Sequence, residues 1–340
     1  MQNAHLPPGA VAGRLHADSV EAYASLHEGL WDVEVLQLKT GRVLAGAAFV
    51  ATPAAVIYRE HWDQPVHARG CLRGDQIAFG FPAAREHAYQ VAGRSAEPDS
   101  LHRLASASEL DMVTGPAYRN LVLVIQRHVL RDALAAWAPE LISTVLDAEA
   151  CTLLCIGVPA RRALELRLNQ LADALLQGTL PPAWTSARLD QEILDALVGA
   201  LAAVSDVSTS PVEGRRRLTA DALAFARSGD FDVSVGALCQ ATGRSRRALE
   251  LAFRQVTGVS PARYLRQARL QGAHLDLARA RGERTSVTEV AMRWGFTELG
   301  RFAGTYRAWF GELPSHTLAR PAHGGAGLPA LRDPRAMFSL

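Results

Sequence analysis

Short apolar runs dominate the first part of the chain, and helical periodicity dominates the rest. Between about Asp32 and Gln126, runs rich in β-branched and aromatic residues are separated by Gly, Pro and Asp. These runs are DVEVLQL, RVLAGAAFV, AAVIYRE, QIAFGFP, HAYQVAG and LVLVIQ. Short runs bounded by turn residues are typical of strands in a small barrel or sandwich. We therefore predict an N-terminal β-barrel.

From His128 onward the apolar positions fall three to four residues apart, which predicts helices. One stripe comprises Leu164, Leu168, Leu171 and Leu175. A second, at strict four-residue spacing, comprises Leu189, Ile193, Leu197 and Leu201. An apolar stripe of this kind is usually core, but the second one is also our candidate for dimerisation.

Two copies of one helical pattern follow between Val235 and Leu318. The first copy contains Ser234, Val235, Leu238, Gly243, Leu249, Phe253, Gly258 and Pro261, and the second contains Ser286, Val287, Val290, Gly295, Phe302, Tyr306, Gly311 and Pro314. Equivalent glycines (Gly243 and Gly295) lie 52 residues apart and equivalent prolines 53 apart. A single glycine turn between amphipathic helices is common, whereas two matched copies favour a tandem helix-turn-helix that reads DNA.

In the first copy, individual residues predict a turn, a helix cap and a buried helix face. Gly243 permits a tight turn, and Ser245 is a suitable N-cap for the helix that follows. Leu249 and Phe253 bury one face of that helix and leave an arginine-rich face outward. In the second copy, Gly295 makes the turn, Thr297 is the candidate cap, and Phe302, Tyr306 and Phe310 are expected to be core.

The charge distribution agrees with this interpretation. Residues 215–320 contain 18 arginines, no lysine and 9 acidic residues, whereas the whole chain has a net charge of only +2. The basic excess therefore coincides with the repeated pattern, as nucleic-acid binding requires.

The repeat resembles the DNA-binding domain of the AraC/XylS family of bacterial transcription regulators. The matching residues are VSVGALCQATGRSRRALELAFRQVTGVSPARYL, the RQARL run, and SVTEVAMRWGFTELGRFAGTYRAWFGELP, about 100 of the 340 residues. The resemblance implies two helix-turn-helix units joined by a linker helix, here about Pro261 to Arg281. Both recognition helices would enter the major groove on one face of the duplex, about 34 Å apart.

The resemblance also implies which side chains contact DNA. Base-reading candidates are Arg247, Glu250 and Leu251 in the first unit and Leu299, Gly300 and Arg301 in the second. Phosphate-contact candidates are Ser245, Arg246, Arg254, Thr297 and Arg307. The second unit departs from the family pattern, because Gly300 and Gly304 stand where larger polar residues are common and Thr317 replaces an aromatic residue. Whether this unit reads bases or only phosphates is left open.

In the resembling family, a variable N-terminal barrel commonly senses a small molecule and helps to dimerise. Tyr58, His61 and Trp62, in the segment YREHWDQPVH, are the effector-binding candidates, since ligand sites combine apolar walls with a few polar groups. Alternation along a strand splits these residues between two faces. The histidines and cysteines show no metal-ligand spacing, and no nucleophile motif is present, so we expect no metal, no cofactor and no catalytic residues.

The predicted fold class is α+β multidomain, with a β-barrel and helices followed by an all-α tandem helix-turn-helix domain. The expected parts are a sensor and dimerisation region at 1–205, a linker at 206–217, a DNA-binding domain at 218–320 and a mobile tail at 321–340. The Ser, Thr, Pro and Gly content of the linker predicts irregular structure that lets the two halves move independently. Without a membrane-length apolar run or a secretion signal, we expect a cytoplasmic protein with no membrane partner.

These features predict a sequence-specific transcription regulator that binds double-stranded DNA. A small-molecule effector, a second copy of the chain and RNA polymerase are its expected partners. Two alternatives stay open: an effector-independent regulator whose N-terminal half only dimerises, and an enzyme with a DNA-binding appendage. A solidly packed barrel would favour the first, and a polar pocket centred on a cysteine or paired carboxylates the second. The residues do not identify the effector, the operator or the sign of regulation.

Overall fold

The computed structural model describes residues 6–82, 90–91, 94–95, 97, 99–106, 108–147, 151–208, 213–280 and 285–319. The predicted tail at 321–340 lies outside them. Thirteen strands form the N-terminal half within the described ranges: β1 Val11–Ala17, β2 Trp31–Gln37, β3 Ala45–Ala51, β4 Ala55–Trp62, β5 Val66–Leu72, β6 Gln76–Pro82, β7 Gln90–Val91, β8 Arg94–Ser95, β9 Ser100–Ala105, β10 Glu109–Val113, β11 Tyr118–Gln126, β12 Thr152–Cys155 and β13 Asp206–Ser208.

The strands form two sheets. The large sheet has eight strands in the order β1-β3-β4-β11-β6-β9-β12-β13, and the small sheet has five in the order β2-β5-β10-β7-β8. All of the described strand pairs are antiparallel. The sheet-rich N-terminal half is confirmed, but among the described residues the two sheets have separate strand orders and no closed barrel is formed.

A helix, α1 Val20–His27, connects the first strand of the large sheet to the first strand of the small one. Ser19 caps it by accepting a 3.1 Å hydrogen bond from the Ala22 amide. Val20, Tyr23 and Leu26 are buried in an apolar cluster that includes residues of both sheets. Burial of this face holds α1 against the space between the sheets.

Four helices cover the face of the large sheet that points away from the small sheet: α2 Arg127–Trp137, α3 Ile142–Leu146, α4 Val158–Gln177 and α5 Ser186–Leu201. Both predicted leucine-rich stripes lie on these helices, on α4 and α5, and both are buried in a core shared with Ile57, Phe79 and Leu123. Leu189, Leu197 and Leu201 are 0% exposed and Ile193 is 2% exposed. The stripe on α5 is therefore core within one chain, and its proposal as a dimerisation surface is wrong.

The C-terminal half contains seven helices in its described part: α6 Glu213–Ser228, α7 Val235–Thr242, α8 Arg246–Thr257, α9 Pro261–Arg279, α10 Val287–Arg293, α11 Leu299–Phe310 and α12 Pro314–Ala319. Helices α7 and α8 form the first predicted helix-turn-helix, and α10 and α11 form the second. Helix α9 joins the two units, and it ends at Arg279, two residues before the predicted end.

Local chemistry sets the boundaries of these helices. Gly243 ends α7 at φ 63°, in the left-handed region where glycine has no steric penalty. Ser245 caps α8 through a 3.3 Å bond from the Ala248 amide, as predicted. In the second unit, however, Glu298 occupies the N-cap position of α11 and makes no side-chain capping bond. The capping role predicted for Thr297 is therefore wrong.

The predicted linker at 206–217 is more ordered than its composition indicated. Its first three residues form β13, which pairs with β12 at the edge of the large sheet. Its last residues, from Glu213, begin α6. Leu36 and Leu38 of the N-terminal half are buried in one apolar cluster with Phe253 of α8 and Tyr264 of α9. The two halves are thus docked, and the expectation that they move independently is wrong for this arrangement.

Within the described residues, none of the helices combines the length and apolarity needed to cross a membrane.

Candidate nucleic-acid interface and ligand cavity

The outward face of α8 is polar and basic. Leu249, Ala252, Phe253 and Val256 are buried on the opposite face. This leaves Arg246, Arg247 and Arg254 exposed to solvent. The arginine fork matches the edge of guanine or two phosphate oxygens, so this face has the chemistry of a major-groove reader.

Each recognition helix also carries one exposed leucine. Leu251 on α8 is 47% exposed and Leu299 at the start of α11 is 39% exposed. Burial within the chain does not explain these leucines. An exposed apolar side chain on a recognition helix can contact the methyl group of thymine. Both were base-reading candidates, and their exposure is compatible with that role.

In the second unit, α11 is held by Phe302 and Tyr306, which are buried. Arg301 and Arg307 are exposed on its other side. At Gly300 and Gly304 an added Cβ would meet nothing within 4 Å, so neither glycine is required by packing. The exposed surface here is smoother and less polar than that of α8, and base reading by this unit stays a prediction.

The linker helix α9 fixes the second unit through a tryptophan. Gly272 on α9 lies under the indole of Trp294, where an added Cβ would be only 2.1 Å from the ring. The Trp294 indole also donates a 2.9 Å hydrogen bond to Asp276. The absence of a side chain at Gly272 therefore lets α10 approach α9 closely.

A cavity of about 70 Å³ lies between the two sheets of the N-terminal half. Tyr23 and His27 of α1, Trp31 of β2, and Tyr58 and Trp62 of β4 line it, together with Glu60, Asn120, Cys151 and smaller apolar side chains. Two of the three effector candidates, Tyr58 and Trp62, thus reach one cavity.

The third effector candidate, His61, does not reach this cavity. It borders a separate open groove of about 600 Å³, next to α4, with Arg14, His16, Arg59 and Arg119. Burial lowers the pKa of His61, and the charges of Arg119 and His16 lower it further. Strand alternation explains the split, since residues 58, 60 and 62 share one face and residue 61 lies on the other.

Glu60 is the polar centre of the cavity, and the sequence analysis missed it. It lies directly across from Asn120 in the antiparallel pairing of β4 and β11. The Asn120 amide donates a 3.1 Å hydrogen bond to Glu60, and the Tyr23 hydroxyl donates another. Alternation from Tyr58 could have identified Glu60, whereas only the fold could identify Tyr23, His27 and Asn120.

A single sheet separates this cavity from the DNA-binding half. On β2, Trp31, Val33 and Val35 line the cavity, while Leu36 on the opposite face is buried in the core of the first helix-turn-helix. Glu34, also on that face, forms a 2.5 Å ion pair with Arg227 of α6. One strand therefore touches the cavity with one face and the C-terminal half with the other.

Strands β5 and β10 repeat this arrangement. Ala68 and Met112 line the cavity. On the opposite face, His67 Nε2 lies 2.8 Å from Asp111, and His67 Nδ1 lies 2.9 Å from the Tyr264 hydroxyl of α9. His67, Asp111 and Tyr264 are all at least 95% buried, so this polar contact between the halves is shielded from water.

Charge reinforces the same contact. Burial alone would raise the pKa of Asp111, but the hydrogen bond and charge of His67 and the charges of Arg69 and Arg216 lower it overall. Arg216 belongs to α6 and its Nε lies 3.7 Å from Asp111. Asp111 is therefore an anionic centre approached by groups from both halves.

Three further contacts tie the halves together. The Leu38 carbonyl accepts a 3.1 Å bond from Gln267 of α9. The Trp309 carbonyl, at the end of α11, accepts a 3.1 Å bond from the Gly41 amide. Glu21 of α1 lies 3.4 Å from His274 of α9. These contacts use α9 and the C-terminal end of α11, and they leave the outward face of α8 exposed.

Comparison with known proteins agrees with the geometry of the C-terminal half. Residues 238–320 match the family model described as a helix-turn-helix domain. The chain is also 35% identical to a solved structure of a probable AraC family transcriptional regulator from Rhodopseudomonas palustris, with 31% of this chain and 99% of that chain covered and a TM-score of 0.29. The chain belongs to the AraC family.

Two curated relatives each match about a quarter of this AraC-family chain. The probable thc operon regulatory protein of Rhodococcus erythropolis is 42% identical over 86 residues, which cover 25% of this chain and 26% of the relative. The XylDLEGF operon transcriptional activator 2 of Pseudomonas putida is 40% identical over 87 residues, which cover 26% of this chain and 55% of the relative. In both cases less than two thirds of the relative's length is matched.

Proposed function

We propose that this chain is a sequence-specific transcription regulator that binds DNA through α8 and α11 and responds to a small molecule in the N-terminal cavity. The observation that carries the proposal is the exposed arginine face of α8, presented by a helix whose other face is buried. The relatives support it, since their names describe an operon regulator and a transcriptional activator. Activation is accordingly the sign that we propose.

Effector response follows from the position of the cavity. Because β2, β5 and β10 each contact the cavity on one face and the C-terminal half on the other, a ligand that shifts these strands also shifts the docking surface of α6 and α9. A ligand changes an equilibrium only through unequal affinity for its two states. We propose that the occupied and empty cavity favour different positions of the DNA-binding half.

The two alternatives have less support. A regulator that is indifferent to ligands has no need of a cavity between its sheets lined by aromatic and polar side chains. An enzyme centred on the cavity cysteine would need a reactive thiolate, but burial raises the pKa of Cys151 to about 12, so its thiol is protonated and a poor nucleophile at neutral pH. Among the described residues that line the cavity there is one carboxylate, Glu60, whereas acid and base catalysis by paired carboxylates needs two.

A homodimer and contact with RNA polymerase stay predictions. Because the α5 stripe is core, a dimer has to use another surface. Size measurement by light scattering, with and without DNA, tests the dimer directly.

Selection of bound sequences from random duplexes tests the proposed function. We expect a motif of two half-sites about one helical turn apart, since two recognition helices on one face of the duplex enter successive major grooves. Salt-sensitive binding without any enriched motif would overturn the proposal, because it would show attraction to phosphates alone.

A further inference from the structure

The charge balance of the cavity indicates what it can bind. Among the described residues that line it, there is one carboxylate, Glu60, and neither arginine nor lysine. Burial raises the pKa of Glu60, although the hydrogen bonds from Tyr23 and Asn120 act in the opposite direction. The carboxylate is thus held in a site that supplies hydrogen bonds but no positive charge.

The nearest basic group does not provide that charge. His27 Nε2 lies 3.7 Å from Glu60. Burial, however, lowers the pKa of His27 to about 4, so its imidazole is neutral near pH 7. His27 is therefore a polar neighbour of Glu60 and not its counterion.

Aromatic rings surround this carboxylate. The rings of Tyr23 and Trp62 lie with centroids 3.7 Å apart, and Tyr58 and Trp31 complete the wall. The Trp31 indole donates a 2.9 Å hydrogen bond to the Tyr58 hydroxyl, which fixes the orientation of both rings. Faces of Trp and Tyr attract cations through their quadrupoles, and the attraction is strongest where water is excluded.

Among the described residues, buried polar atoms in the wall also lack hydrogen-bond partners, and an amide oxygen beside Glu60 is one of them. The Asn120 Oδ1 atom is buried and has no hydrogen-bond partner within the described part of the chain. Asn120 is fixed beside Glu60, because its amide nitrogen donates to that carboxylate. A ligand that carries N–H groups can satisfy Asn120 and Glu60 together.

The geometry points to a small organic cation, a protonated amine with a compact apolar body, as the ligand of this cavity, with its N–H groups directed to Glu60 and Asn120 and its body against the aromatic rings. This inference rests on the proposed function and deepens it, since it gives the chemical class of the effector. An anion of the same size meets a carboxylate and no basic side chain, so the site rejects it.

Three probes of similar size separate charge from shape: isopropylammonium chloride, isopropanol and sodium acetate. Each is titrated into the full chain labelled with ¹⁵N at its tryptophan indoles, and the indole resonances of Trp31 and Trp62 report occupancy. We expect the ammonium ion to bind at about millimolar concentration, as its few atoms allow, and about tenfold or more tightly than isopropanol. Acetate should leave these resonances in place.

Variants of the carboxylate test the same point. Glu60→Gln keeps the size of the side chain and removes its charge, so the preference for ammonium over alcohol should disappear. Glu60→Asp keeps the charge and should retain part of the preference. Glu28→Gln is the matched control, because Glu28 is exposed after the end of α1 and should leave the preference unchanged.

The outcomes separate this inference from the proposed function. Equal binding of ammonium and alcohol, or a preference that survives Glu60→Gln in a variant with wild-type circular dichroism, would overturn the cation assignment. If that happens while selection from random duplexes still recovers a motif, the chain is a DNA-binding regulator with a different ligand. If the cation binds and no motif is recovered, the ligand assignment stands and the regulatory function fails.

Discussion

Replacing Tyr264 by phenylalanine removes one oxygen atom from the interface between the halves. In the wild type, the Tyr264 hydroxyl lies 2.9 Å from His67 Nδ1, while His67 Nε2 contacts Asp111. The variant keeps the aromatic ring in the core of the first helix-turn-helix but leaves the buried His67 Nδ1 without this partner. Leaving a buried polar atom unpaired costs about 1–3 kcal/mol.

That cost acts on the docked arrangement, because His67 regains water as a partner when the halves separate. A loss of about 1–3 kcal/mol lowers the docking equilibrium by roughly 5- to 150-fold. Hydrogen exchange of the amides in β5 and α9 measures this opening, and we expect exchange there to accelerate by a similar factor. Binding to random DNA should not change, because the outward face of α8 lies outside the interface.

Tyr118→Phe is the matched control. The Tyr118 hydroxyl lies 3.6 Å from the Met112 sulfur, within the N-terminal half. This change should leave exchange in α9 at the wild-type rate. Unchanged exchange in Tyr264→Phe, or equal acceleration in both variants, would refute the idea that the His67 contact holds the halves together.

Two other predictions follow from glycine packing and from buried histidines. Gly272→Ala should lower the thermal midpoint, because its Cβ would lie 2.1 Å from the Trp294 ring and overpacking costs about 1–3 kcal/mol. Gly304→Ala, whose Cβ meets nothing within 4 Å, should instead stabilise the protein by about 1 kcal/mol. Equal midpoints of the two variants in calorimetry would contradict the close approach of α10 to α9. The pKa of His27 is lowered from 6.5 to about 4 in the folded protein, so between these pH values the unfolded chain binds more protons than the folded one. The contribution of His27 to the free energy of unfolding is therefore fully present above pH 6.5 and is lost as the pH falls toward 4, by about 1.4 kcal/mol per pH unit at most. The free energy of unfolding, measured by urea denaturation at several pH values in this range, should depend less steeply on pH in His27→Gln than in the wild type. An unchanged dependence on pH would contradict the assignment of a neutral, buried imidazole.

The C-terminal half could be predicted in detail because its signals are local. The turn at Gly243 and the cap at Ser245 depend on residues within a few positions of each other, and both are found in the structure. Thr317 shows the limit of this approach. It stands where the resembling family has an aromatic residue, yet its hydroxyl accepts a 2.8 Å bond from buried Tyr306 and donates a 2.7 Å bond to Glu312.

The N-terminal half was predicted less completely because its strands depend on distant partners. The segment VHARGCL of β5 contains few β-branched residues, and its position is fixed by pairing with β2 and β10. Alternation in β2 indicated a strand but could not show that Leu36 packs in the other half. Burial of Glu60 beside Asn120 likewise follows from strand register, which a single sequence does not reveal.

The proposed function depends most on direct reading of bases by α8, and one comparison tests it. The affinity of the full chain is measured for its selected duplex and for a scrambled duplex across a range of salt concentrations, with Arg247→Ala and Arg254→Ala as variants. Arg247→Ala should lose about 1–3 kcal/mol on the selected duplex alone, whereas Arg254→Ala should weaken both duplexes equally and reduce the salt dependence. Equal losses on both duplexes for Arg247→Ala would contradict base reading by this helix.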